Sequence, residues 1–129
     1  MRPPALMTFL RQRLGESGED LACRELGARG YAILARRYRT RYGEIDIVAR
    51  DGDSIVFVEV KLKTTGEFGA AAESVTPWKQ RRVVAMAVDY LSRNGLADRP
   101  CRFDVVAIDM LDKDGAPQVS VIPSAFDAG

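Results

Sequence analysis

Glu44-Ile-Asp-Ile-Val-Ala-Arg-Asp-Gly-Asp-Ser-Ile-Val-Phe-Val-Glu-Val-Lys61 reads as two apolar strands joined by a turn, with carboxylates and an amine gathered towards the open end. Glu44–Ala49 and Ile55–Lys61 are rich in β-branched residues, and Asp51-Gly52 between them is a strong turn signal. Side chains alternate along a strand. Glu44, Asp46 and Val48 should therefore share one face of the first strand, and Ile55, Phe57, Glu59 and Lys61 one face of the second. A loop with an even residue count lays those two faces side by side, and a four-residue loop sets Asp46 opposite Glu59. Two carboxylates and an ammonium would then converge among apolar neighbours, where desolvation costs several kcal/mol unless something compensates. A divalent cation is one compensation; a solvated cross-strand ion pair is the other account of the same residues.

Outward from this hairpin, element types alternate. A helical stretch follows Pro3-Pro4 and runs to about Arg29, with a restart near Gly15 to Gly18 that Ser17 would cap. Gly30 is its natural stop. Glu19 shares a helical face with Ala22, Cys23 and Leu26, which places it within reach of the hairpin acids. Helix N-terminal charge preference, worth about 0.3–1 kcal/mol, explains an acid there equally well. Tyr31 to about Arg37 reads as a first strand, completing a three-stranded meander with the hairpin. Apolar residues on both faces of the hairpin strands mark them as central and covered on each side. Thr64 to Ala72 is a connection, and Thr76-Pro77 opens a second helix that Asn94-Gly95 ends. Lys79 begins the inward stripe of that helix, continued by Val83, Met86, Ala87 and Tyr90, while Trp78 reads as a packing residue. Arg102 to Asp109 is a fourth strand, Asp112 to Gly115 a turn, and Gln118 to Ile122 a short edge strand. The fold class is α/β: an αβββαβ core with a β extension, a mixed sheet flanked by helices, in a single domain over residues 1–129.

Composition limits the chemistry. A chain of 129 residues buries roughly 65–70% of its unfolded surface without needing a disulfide or a structural metal. There is no long uncharged apolar run and no signal-peptide pattern, so a cytoplasmic protein with no membrane partner is expected. Cys23 and Cys101 lack a CxxC partner and read as small buried residues in a reducing compartment. The sequence has no histidine, which removes Ser-His and Cys-His nucleophiles, histidine-zinc sites and imidazole general bases. Carboxylate and lysine chemistry remains. Net charge is only +1, yet Arg36, Arg37, Arg39 and Arg41 crowd together while Asp104, Asp109, Asp112, Asp114 and Asp127 populate the C-terminal part. That asymmetry favours an anionic partner on one side.

Gly18-Glu19, Gly43-Glu44-Ile45-Asp46-Ile47-Val48, Phe57-Val58-Glu59-Val60-Lys61 and the Lys79 helix together resemble the bacterial YraN family of uncharacterised proteins, over nearly the whole chain. That family is regarded as a branch of the restriction-endonuclease-like, PD-(D/E)xK nuclease superfamily, and the element order is similar to that of archaeal Holliday-junction resolvases. The resemblance implies Asp46 and Glu59 as metal ligands, Lys61 as the catalytic lysine and Glu19 as an accessory acid. Ile45 stands where the superfamily name has proline. Lys63 stands where such relatives often carry arginine, so a phosphate contact there is a point charge in place of a bidentate fork.

Phosphodiester hydrolysis needs a nucleophilic hydroxide, neutralisation of the phosphorane-like transition state and help for the departing 3′-oxygen; hard oxygen ligands around Mg²⁺ or Mn²⁺ serve all three. Asp46 and Glu59 supply such ligands, the Val60 carbonyl completes the set, and Glu19 or Glu44 joins directly or through water. Glu44, nearer the strand end, has pairing with an arginine as its other reading. Lys61 orients or deprotonates the attacking water. Arg36 to Tyr42 combines guanidinium groups with rings able to stack on bases, and Lys63, Lys79, Arg81 and Arg82 add phosphate contacts; a solvated strand edge is the competing reading of the arginines. The expectation is a metal-dependent endonuclease acting on DNA at branched or irregular structures, with a homodimer suited to a two-stranded junction. Its rivals are a nucleic-acid-binding module without turnover and an interaction domain whose charged end is a salt-bridge network.

Overall fold

The computed structural model describes residues 18–63, 75–109 and 117–126. Helix α1 covers residues 18–28. It is followed by β1 (Ala32–Thr40), β2 (Gly43–Asp51), β3 (Ser54–Lys63), helix α2 (Pro77–Arg93), β4 (Cys101–Asp109) and β5 (Gln118–Phe126). The strands form one sheet in the order β1-β2-β3-β4-β5, antiparallel except for the β3–β4 pair. A parallel pair needs a crossover, and α2 provides it. The αβββαβ order with a fifth strand is the one expected. The proposed cap at Ser17, the connection from Thr64 to Ala72 and the turn from Asp112 to Gly115 lie outside the described residues.

Each helix covers one face of the sheet. Ala22 and Leu26 of α1 pack on Ile47, Ala49, Val56, Val58, Val106 and Ile108, while Val83, Met86, Ala87 and Tyr90 of α2 pack on Val48, Ile55, Phe57 and Phe103. β3, between β2 and β4, buries both its faces. Local chemistry ends the helices as expected. Thr76 accepts the Lys79 N–H at 3.2 Å with Pro77 opening α2, and Asn94 closes it through a side-chain bond to the Tyr90 carbonyl at 2.8 Å. Gly30, with φ of +92°, takes the chain out of α1 in a conformation that few other residues adopt.

The hairpin register is the one read from the sequence, with Arg50 opposite Ile55, although the turn is tighter, Asp51 pairing with Ser54. The face alternation is not. Ile45 packs with Val48 on the α2 side, whereas Ile47 packs on the α1 side, so the two-residue period slips at Asp46. β1 slips with it: Ala35 and Tyr38 both pack on the α2 side, and Arg37 between them has φ of +52°. Ala35 opposite Val48 and Tyr38 opposite Ile45 keep the two strands in step across the slip. A left-handed residue of this type costs about 1 kcal/mol or more. Its effect is to let two consecutive arginines, Arg36 and Arg37, reach the start of α1, which regular alternation forbids.

Other boundaries moved. β1 extends to Thr40, and β5 runs past Ile122 to Phe126. Pro123 is tolerated because β5 is an edge strand, and the β4–β5 register shifts there, between Phe103 and Val105. Asp104, 1% exposed, sits at that shift and accepts the Ser124 N–H at 2.9 Å, the Arg102 guanidinium at 3.1 Å and the Tyr31 hydroxyl at 3.3 Å. It is a fully bonded structural carboxylate. Cys101, read as buried, is exposed at the start of β4, and Cys23 is partly buried; both are free thiols. Among the described residues no helix is long and apolar enough to cross a membrane.

Candidate functional site

Where β2 and β3 part, a side chain takes over from the main chain. Their ladder runs from Asp51–Ser54 to Ile47–Val58, and one step further Asp46 Oδ2 accepts the Val60 N–H at 2.8 Å. The slip in β2 makes room for this bond. It also gathers acids from separate elements: carboxylate oxygens of Glu19, Glu44 and Asp46 lie within 4.8 Å of one another. Gly18 contributes by size, since a Cβ there would stand 2.8 Å from Leu62 Cδ2, so its absence lets the start of α1 lie against the end of β3.

Glu59 belongs to a neighbouring cluster. It follows the alternation of Ile55 and Phe57 onto the α2 face, where Oε1 lies 2.9 Å from Lys79 Nζ and 3.4 Å from Lys61 Nζ. Glu59 is 16% exposed in its side chain, so this is a largely desolvated two-to-one arrangement of lysines and carboxylate. The two clusters interact. Burial first, then the negative charge of Glu59, and with it those of Glu19 and Glu44, push the Asp46 carboxyl up to about 7, against the lowering effect of the Val60 hydrogen bond. Burial and the adjacent Lys79 amine lower the proton affinity of Lys61, with Glu59 offsetting part of the effect. Burial acts to lower Lys79 as well, but its contacts with Lys61 and Glu59 outweigh that and its net direction is upward.

The arginine segment divides into pairs. Arg37 Nε donates to Glu19 Oε2 at 2.8 Å, Arg36 lies 3.6 Å from Glu19 and 2.8 Å from Asp20, and Arg39 pairs with Glu44 at 3.1 Å. The arginine alternative raised for Glu44 is thus present, and Glu44 also joins the acid group. Arg41 lies over the Tyr42 ring at 4.9 Å and donates to its hydroxyl. The guanidinium groups therefore form a rim around the acids, and these pairs are exposed enough that each contributes at most about 1 kcal/mol. Lys63 closes β3, and its side chain lies outside the described residues.

Sequence reasoning brought Asp46, Glu59 and Lys61 to one end of the sheet, together with Glu19 and Lys79. It ranked Glu44 below its place in the acid group, and it read Trp78 as a packing residue, whereas Trp78 is 60% exposed. The signal for Trp78 was present: it precedes the inward Lys79–Val83 stripe by one residue and so turns away from the core. Arg82, four residues on, stacks its guanidinium over the indole at 4.7 Å. For a cation, the set is apt. Three converging carboxylates, one of them with its proton affinity raised by burial and by nearby Glu59, are hard oxygen donors of the kind that Mg²⁺ and Mn²⁺ take.

The sequence pattern of the uncharacterised protein family UPF0102 matches residues 18–108, from the residue before Glu19 almost to the end of β4. The chain is 50% identical over 117 residues to a UPF0102 protein of Anaeromyxobacter dehalogenans, covering 91% of this chain and 86% of that one. It is 47% identical over 114 residues to a UPF0102 protein of Geobacter sulfurreducens, covering 88% of each. To a UPF0102 protein of Ralstonia pickettii it is 55% identical over 100 residues, which cover 74% of this chain and 79% of the relative.

Proposed function

The chain belongs to the UPF0102 (YraN) family, and from its site we propose that it is a metal-dependent endonuclease that hydrolyses DNA phosphodiesters at branched or irregular structures. The observation that carries this reading is the convergence of Asp46 with Glu19 and Glu44, carboxylate oxygens within 4.8 Å of one another, with Glu59 and Lys61 on the adjoining strand.

Asp46, Glu19 and Glu44 would hold Mg²⁺ or Mn²⁺, with Glu59 and the Val60 carbonyl available from the adjoining strand. The bound ion would supply Lewis-acid neutralisation of charge on the phosphate. Lys61 Nζ, partly desolvated and crowded by Lys79, is suited to accept a proton from the attacking water and then to face the developing negative charge as an ammonium. Hydroxide adds to phosphorus, the P–O bond to the 3′-oxygen breaks, and that oxygen leaves as a hydroxyl once it takes up, through solvent, the proton that Lys61 accepted from the attacking water. Lys79, held at Glu59, offers a second ammonium for a non-bridging oxygen, Arg36, Arg37 and Arg39 can exchange carboxylate partners for phosphates along the strand, and Arg41 adds a guanidinium beside Tyr42.

Labelled duplex, flap, splayed and four-way DNA, incubated with Mg²⁺ or Mn²⁺, tests the proposal. Cleavage should require the ion and vanish in Asp46→Asn and Lys61→Ala while folding and DNA binding persist. Cleavage that survives both substitutions, or none with any divalent ion, rejects it. A second reading has its own observation: Glu19, Glu44 and Glu59 all have basic partners. In that reading the charged end is a salt-bridge network in a non-catalytic module, and divalent ions leave the protein's stability unchanged.

A further inference from the structure

Adjoining the acids is a pocket of about 430 Å³ whose apolar floor and aromatic wall have no part in the hydrolytic chemistry. Glu44 and Glu59 line its acid side, buried Val83 and Met86 its apolar floor, and Tyr42 and Trp78 its exposed wall. We propose that this pocket receives one unstacked nucleobase of the substrate strand, with the Trp78 indole as its stacking surface. The substrate class follows: nucleic acid with an unpaired nucleotide next to the phosphate presented to Lys61. The inference rests on the nuclease reading for that phosphate but not for the base pocket itself.

Three observations support it. Trp78 is 60% exposed although Val83 and Met86 offer apolar contacts nearby, so the largest side chain in the chain is held out of the core. It is held rigidly. The Arg82 guanidinium lies 4.7 Å from the indole centroid, and Arg82 Nε donates to the Tyr42 carbonyl at 2.8 Å, tying both aromatic residues into one unit. A ring that already has a stacking partner loses less conformational freedom when a base stacks on it than an unpartnered one would. Second, Gly43 keeps the space open: its φ is +133°, and a Cβ there would stand 3.2 Å from Arg82 Nη2 and 3.7 Å from Met86 Sδ. Third, size and charge agree. The volume lies within the range of about 300–1,000 Å³ for small-molecule sites and is too small for a base pair with its two backbones, while Lys79, Arg82 and Arg41 supply cations for the flanking phosphates. A base still paired in a duplex cannot enter such a pocket, so entry selects flaps, splayed arms and other strands with an unpaired nucleotide.

Trp78 is the sole tryptophan, which makes its emission a private reporter of the pocket. In chelator, without divalent ions, a short single-stranded oligothymidylate should quench it, and a blunt duplex should not. Anisotropy of the labelled oligonucleotide should show Trp78→Ala weakening binding roughly 5- to 150-fold, the effect of one base–aromatic stack, with Trp78→Phe close to wild type. Both substitutions fall on an exposed side chain, and far-UV circular dichroism verifies the fold. Equal quenching by duplex and single strand overturns the proposal, as does unaltered binding by Trp78→Ala. Cleavage without quenching removes the pocket and keeps the nuclease; quenching without cleavage in any metal does the reverse.

Discussion

Replacing Asp46 by asparagine should make the metal-free protein more stable, and increasingly so as pH rises. The Asp46 carboxyl is pushed from an ordinary 3.8 up to about 7, chiefly by burial and by Glu59. Between these values the folded protein holds a proton that the unfolded chain has released. More protons are then bound in the folded state, so the free energy of unfolding falls with rising pH through this window and levels off above about 7. At 1.36 kcal/mol per tenfold, the full penalty is about 4 kcal/mol. About 2–3 kcal/mol of it should develop between about pH 5 and pH 8. Asparagine has the same shape, accepts the Val60 N–H through its amide oxygen and carries no charge. Urea unfolding followed by far-UV circular dichroism, in chelator across a pH series, measures the gap between wild type and Asp46→Asn. The gap should widen by about 2–3 kcal/mol from about pH 5 to pH 8, in favour of the variant. A gap that is constant with pH, or a variant less stable throughout, would refute the claim that Asp46 is a destabilised acid.

Magnesium should narrow this gap: saturating the wild type at about a hundred times Kd adds about 2.7 kcal/mol, read as a raised Tm, while Asp46→Asn gains little. The metal effect should fade as pH drops through about 7, because Asp46 must lose its proton to act as a ligand. Lys61→Ala should lower kcat by about 10²- to 10⁴-fold in the DNA cleavage assay, and Lys61→Arg should not restore it, since a guanidinium keeps its proton. Asp104→Ala, at the far side of the sheet, should cost about 1–3 kcal/mol in urea unfolding by leaving the Ser124 N–H and the Tyr31 hydroxyl without their acceptor, while Arg102 keeps its ion pair with Asp51 at 2.9 Å. The folded fraction of that variant should cleave at the wild-type rate, as measured per folded molecule.

The features readable in advance are those whose cause lies within a few residues. Apolar alternation and the Asp51-Gly52 turn set Arg50 opposite Ile55, because the turn can close only a few registers and each shift by one would turn the core face outward. Thr76-Pro77 and Asn94-Gly95 bound α2 for the same reason, their side chains and rings acting on the adjacent backbone. The gathering of Asp46, Glu59 and Lys61 at one end of the sheet follows from that register. What the pattern could not contain is the slip at Asp46 and Arg37. A two-residue period assumes one backbone conformation along the strand, and Arg37 leaves it, at φ of +52°, with ion pairs to α1 formed by both Arg36 and Arg37. From that departure come the choice of Glu44 as the third member of the acid group and the Val60 N–H bonded to a side chain. These are contacts between elements remote in sequence, and their outcome depends on how α1, β1 and β2 pack together, a balance that no local run of residues encodes.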